Sequence, residues 1–170
     1  HDGLLRACGL LARRGVRFRL DLVGKDDLGL GIPLAALARK QGIADDVVFH
    51  GGLDHGRVGE MIGRSDVVVL TSFSEGIPVS LMEGLASGRP VVGPRVTGVP
   101  ELIIDGVNGY MADPQDPAGF ADALQALAES AELRREMGAA GRRLVEERYD
   151  MRANSHILAA FMAQRIGSGA

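Results

Sequence analysis

Between Asp66 and Val92 the chain spells out a strand, a turn, a helix and a second strand with almost no residues to spare. The apolar run Asp66-Val67-Val68-Val69-Leu70-Thr71 has the pattern of a buried parallel strand. A small polar turn follows, and then Gly76-Ile77-Pro78 opens an apolar-periodic helix, with Pro78 suited to the first helical position. That helix is expected over Pro78–Ser87 and leads into a strand over Pro90–Val92. Glu75 therefore sits at the carboxyl end of a strand and the amino end of a helix. Open α/β sheets bind ligands at such places, and free backbone N–H groups there attract anions. Glu83 lies about two helical turns further on, so both carboxylates can face one crevice. A phosphate flanked by two carboxylates that grasp hydroxyls suits a nucleotide-sugar.

The rest of the chain alternates in the same way. Leu4, Leu5, Cys8 and Leu11 recur at helical spacing, and Arg13-Arg14-Gly15 ends that helix. Strands are expected over Arg17–Val23, closed by Gly24, and over Asp46–His50, ended by Gly51-Gly52. Between them Pro33–Gln41 reads as a helix stopped by Gly42, and Arg57–Gly63 as a short helix. A helix-like turn follows Thr97-Gly98-Val99-Pro100-Glu101; the turn residues Asp105-Gly106-Val107-Asn108-Gly109 then lead to a strand over Gly109–Ala112. Helices are expected over Pro117–Ala128, Ala131–Arg148 and Arg152–Ile166, with a disordered tail at 167–170. Strands separated by helices give an α/β, doubly wound, Rossmann-like parallel sheet, helices on both faces and Asp66–Thr71 near its centre.

Composition narrows the function. A chain of 170 residues with 46% hydrophobic and 24% charged residues can bury a sizeable core. A net charge of −3, without a basic stripe, argues against a nucleic-acid partner. Cys8 is the lone cysteine, which rules out a disulfide framework and reads as a small buried hydrophobe. Trp is absent, so no base or sugar can stack on one. No apolar run approaches the ~20 residues of a membrane span, and the expected location is cytoplasmic. The first residue is His1 rather than Met, and the opening reads as a helix interrupted at its start, as in a piece cut from a longer chain.

Taken in order, the phrases Leu22-Val23-Gly24, Val48-Phe49-His50-Gly51, Ser65-Asp66-Val67, Glu75 with Glu83, Ala86-Ser87-Gly88-Arg89-Pro90-Val91-Val92, Gly98-Val99-Pro100-Glu101-Leu102 and Asp105-Gly106-Val107-Asn108-Gly109 carry a resemblance. From Gly3 to about Arg152 the chain resembles the carboxy-terminal half of a GT-B fold, the donor-binding domain of a retaining family 4 glycosyltransferase. Enzymes of this kind build bacterial surface polysaccharides.

The resemblance implies roles. Glu75 matches the residue that holds the donor sugar's hydroxyls and is the expected catalytic position; Glu83 matches the one that accepts hydrogen bonds from the ribose. The N–H groups of Gly76, Ile77 and Val79 would face the diphosphate, with Pro78 fixing the turn. The base would lie across the strand end formed by Phe49, His50 and Gly51, and the loop Gly24-Lys25 would border the donor. Plainer roles compete. A helix-start Glu such as Glu75 can merely offset the dipole, Glu83 can be a solvated helix residue, Glu101 can tether its loop, and His50, His55 and His156 have no metal-ligand spacing.

Missing patterns also discriminate. No phosphate-binding loop of the Gly-Lys-Ser/Thr type occurs, and Gly29-Leu30-Gly31-Ile32-Pro33-Leu34 lacks the third glycine of a dinucleotide fingerprint. No Asp-x-Asp occurs, so neither a metal nor any other cofactor is expected, and leaving-group charge would fall to the helix dipole and basic side chains. The resemblance further implies an absent first strand, a basic diphosphate clamp whose Lys would fall near Asp2, and an absent amino-terminal domain for a glycan or lipid-linked acceptor. Peripheral membrane association would run through that domain. Lys25 is no established substitute for the clamp, so the isolated piece is expected to be inactive. The alternatives are a nucleotide-sugar-binding fragment without transfer activity and, more weakly, a sugar-nucleotide epimerase.

Overall fold

A computed structural model describes residues 1–26, 29–150, 152, 154–156, 159, 161 and 162. In chain order the elements are α1 (Asp2–Arg13), β1 (Leu20–Val23), α2 (Gly31–Gln41), β2 (Val47–Gly51), α3 (His55–Arg64), β3 (Val68–Val69), α4 (Val79–Ala86), β4 (Val91–Pro94), α5 (Val99–Leu102), β5 (Gly109–Ala112), α6 (Pro117–Glu129) and α7 (Ala131–Arg148). A 3-10 turn over Ala44–Asp46 precedes β2. The helix expected over Arg152–Ile166 is helical at each of its described positions. Its other residues and the tail at 167–170 lie outside the described residues.

Every strand pairing is parallel and helices flank the strands, as expected of a doubly wound α/β fold. The sheet itself departs from expectation, because it comes in two pieces, β1 beside β2 and β3-β4-β5. The strand expected over Asp66–Thr71 keeps a ladder only at Val68 and Val69, and it is an edge rather than a centre. Among the described residues β3 has one partner, β4, so nothing holds its other edge in register. Arg17–Arg19 likewise stay outside the β1 ladder, which begins where Leu20 meets Val47.

Two of the shifted helix starts have a local cause in the structure. The Asp26 carboxylate accepts the N–H groups of Leu30 at 2.6 Å and Gly31 at 3.0 Å, which lets α2 begin ahead of Pro33. Pro78 has a ψ of 119°, an extended value, so it caps α4 from outside and Val79 is the first helical residue.

Three apolar clusters hold these elements. Leu4, Leu5 and Cys8 of α1 pack on Leu20, Leu22 and Val47 of the first sheet. Ala7 and Leu11, further round the same helix, join Val92, Phe120 and Leu127 against the second. Helix α1 thus bridges the two sheets, and half-buried Val69 touches both clusters. On the other side Leu81 and Leu85 of α4 meet Val91, Val99, Leu102 and Leu144. Helix α7 comes close to α4 because Gly138 and Gly141 lack side chains. A Cβ on Gly138 would stand 2.0 Å from the Gly88 carbonyl oxygen, and one on Gly141 would stand 2.3 Å from Leu85 Cδ2.

Candidate functional site

The amino end of α4 is open to solvent where it leaves β3. Gly76, Ile77 and Val79 are exposed, Glu75 is half-buried and Pro78 is buried. Among the described residues the N–H groups of Gly76, Ile77 and Val79 have no protein acceptor; for Val79, the first helical residue, that is the ordinary condition of a helix start. A Cβ on Gly76 would meet nothing within 4 Å, so the space in front of this glycine is clear.

Glu83 occupies the second turn of α4. Its Oε1 lies 3.5 Å from Nδ1 of His55, the first residue of α3. Asp54 caps α3 by accepting the Arg57 N–H at 3.0 Å, and this fixes where His55 stands. Glu83 is 29% exposed and His55 90%. The pair ties the first turn of α3, the element that follows β2, to the second turn of α4.

At the Phe49–Gly51 strand end the expected residues separate. Successive residues of β2 point to opposite faces, so Phe49, in register with Leu22, and His50, beside Asp21, do not share a side. His50 Nε2 donates to Asp21 Oδ1 at 2.6 Å, because a carboxylate can only accept. Arg19 also binds Asp21, at 2.9 Å. The Arg19 guanidinium first, and His50 after it, hold the Asp21 carboxyl below its ordinary range despite partial burial. His50 is thus engaged in a side-chain triad on the sheet face. The Gly24 N–H donates to the Gly51 carbonyl at 2.9 Å and closes the two strand ends, with Gly51 in a left-handed conformation at φ 65°. The Lys25 side chain lies over Gly52, where a Cβ would come within 2.8 Å of its Cγ. Lys25 therefore sits just past the end of β2.

A hollow of about 280 Å³ lies beside the amino end of α1, lined by Asp2, Gly3, Arg6, Thr71, Phe73 and Gln115 among others. It does not include Glu75 or Glu83. Arg6 there binds Asp2 at 2.8 Å across one helical turn. An acid four residues before a base is the sequence signal for the Asp2–Arg6 pair. His55, without metal-ligand spacing, carries no local signal of its partner Glu83.

Elsewhere the structure assigns structural duties. Burial pushes the Cys8 thiol up to about 12, which makes it an unreactive core residue. The Glu101 carbonyl accepts the Tyr149 hydroxyl at 3.0 Å, which ties α7 to α5. Asn108, in the Asp105–Gly109 turn, is buried: it accepts the Ile104 N–H at 2.8 Å and donates to the Leu102 carbonyl at 3.0 Å. For Asp105, burial works against ionisation, but Arg95 and the Met111 N–H outweigh it and lower the carboxyl. Among the described residues no group of three or more His, Cys, Asp or Glu side chains could hold a metal ion, and no helix is long and apolar enough to cross a membrane.

The parallel strands and flanking helices form the carboxy-terminal half of a GT-B fold, and comparison with known proteins gives the family. Residues 1–144 match the family model described as glycosyl transferases group 1, and the chain belongs to that family. It is 36% identical over 146 residues to the D-inositol 3-phosphate glycosyltransferase of Streptomyces griseus, covering 82% of this chain and 31% of that protein. Sucrose-phosphate synthase from Thermosynechococcus elongatus superposes with a TM-score of 0.86 at 22% identity, over 98% of this chain and 43% of its own. HepE from Anabaena in complex with UDP superposes with a TM-score of 0.87 at 20% identity, over 95% of this chain and 44% of its own. The chain thus spans less than half the length of each.

Proposed function

We propose that this chain is the donor-binding domain of a metal-independent family 4 glycosyltransferase. The complete enzyme moves a sugar from a nucleoside diphosphate to a glycan or lipid-linked acceptor, with retention at the anomeric carbon. One observation carries the reading: three unpartnered, exposed N–H groups at the start of α4 stand between Glu75 and Glu83. Those amides and the positive end of the helix take the diphosphate. Glu83, on the second turn, takes the ribose hydroxyls; Glu75, ahead of the amides, takes the sugar hydroxyls. The UDP bound to the structural neighbour HepE is in keeping with a nucleotide ligand.

The two separate sheets favour the expected organisation as well. In this proposal the first strand of the domain lies between β1 and β3, whose facing edges have no partner among the described residues, and the acceptor domain precedes it. The donor half of the site is then present and the acceptor half is not, so the chain alone binds donor weakly and transfers nothing. The epimerase reading has no support in the family match. Calorimetric titration with UDP-, GDP- and ADP-sugars tests the proposal. Saturable binding of one nucleotide series supports it, and heat-silent titrations with all of them would refute it.

A further inference from the structure

The turn ahead of α5 runs directly behind the segment that carries Glu75. Gly98 is buried, and a Cβ placed on it would fall 2.1 Å from the Gly76 carbonyl oxygen and 2.5 Å from the Gly76 carbonyl carbon. Its N–H points at the Glu75 carbonyl oxygen at 3.5 Å. Backbone conformation does not explain the glycine, because φ −83° and ψ −11° are open to any L-residue. What the position requires is the missing side chain.

The two sides of this contact differ in stiffness. Behind Gly98, Val99, Leu102 and Ile103 are fully buried, and the Ile103 N–H returns to the Val99 carbonyl at 2.9 Å. Tyr149, just past the end of α7, donates its hydroxyl to the Glu101 carbonyl. In front, Gly76 and Ile77 are exposed and their N–H groups are unpartnered. An added methyl therefore has no room to retreat into the core and displaces the Glu75–Ile77 segment instead.

We infer that Gly98 is a positioning residue, a backstop that sets the place of the Glu75 carboxylate and the Gly76 and Ile77 amides without touching a ligand. The inference rests on the donor-site reading for its consequence, though not for its geometry. Gly98→Ala is a clean probe, because in a helical conformation it limits the unfolded chain and adds no backbone strain. Thr97→Ala, an exposed neighbour in the same turn, is the control.

The test has a ligand-free arm and a ligand arm, both on this chain. Amide chemical shifts of Gly76 and Ile77 are compared between wild type and Gly98→Ala, with the β5 amides as reference. Affinities for UDP-, GDP- and ADP-glucose are then measured by calorimetry. The expected result is a folded variant whose Gly76 and Ile77 amides move while β5 does not, with donor affinity down about tenfold or more, since small misplacements at a site are costly. Thr97→Ala should match wild type in both arms. A folded Gly98→Ala with unmoved Gly76 and Ile77 amides would overturn the inference, as would shifted amides with affinity unchanged. Loss of the fold would overturn it too, because the α5 side would then have been the one to yield. If wild type binds none of the three probes, the donor reading fails by itself, and the amide arm still decides whether Gly98 sets the segment.

Discussion

His55 Nδ1 and Glu83 Oε1 stand 3.5 Å apart, joining the first turn of α3 to the second turn of α4. The contact ties Glu83 to the element that follows β2.

Glu83→Gln keeps the shape of this side chain and removes its charge. Hydrogen bonds to charged groups contribute about 1.5–3 kcal/mol each, so nucleoside diphosphate affinity in the complete enzyme should fall about tenfold or more. Folding stability should change little, because both residues of the pair are partly exposed. Affinity equal to wild type would take Glu83 out of the site.

Glu75→Ala separates holding the sugar from holding the nucleotide. Affinity for the nucleoside diphosphate should stay near wild type, while turnover of the complete enzyme collapses because the sugar is no longer placed for attack. A residue that served only the helix dipole would behave differently, with a stability loss of about 0.3–1 kcal/mol and ordinary turnover. Thermal midpoint, affinity and turnover measured on one variant decide between the two.

Gly138→Ala should cost stability in proportion to a tight contact. The new Cβ would meet the Gly88 carbonyl oxygen, a backbone atom that cannot rotate away. Overpacking of this kind costs about 1–3 kcal/mol, readable as a lower urea midpoint. An unchanged midpoint would mean that α7 shifts off α4 freely.

Asp21 gives a pH dependence with a definite sign. Its folded carboxyl is lowered from 3.8 by Arg19 and then His50, so it contributes stability above the unfolded value and loses it as pH falls through the folded one. Asp21→Asn should therefore destabilise the chain near neutral pH, and the difference from wild type should shrink steadily below about pH 4. Urea unfolding at several pH values checks this; a difference that grows in acid would contradict it.

Much of this was legible along the chain. Apolar periodicity located α6 and α7 to within a residue and marked the end of α1, since those helices bury one stripe and their ends carry strong stop or start residues. The β4 and β5 strands were equally plain, as buried runs between turns. The extent of β3 was not, because ladder length depends on both neighbours, and Asp66–Thr71 has an unpaired edge that its own residues do not reveal. The pairing of His55 with Glu83 and the contact of Gly98 with Gly76 each join residues more than 20 positions apart in sequence. No local pattern encodes either of them. Gly98 looks like any turn glycine until Gly76 is seen against it.

Cys8 gives a way to watch the seam between the two sheets. It is the chain's single thiol, buried on the face of α1 that covers β1, on the helix that bridges both sheets. A thiol pushed so far up reacts only when it reaches water as the thiolate. Its modification rate by a disulfide reagent is thus a clock for how often α1 lifts away, with no label to engineer.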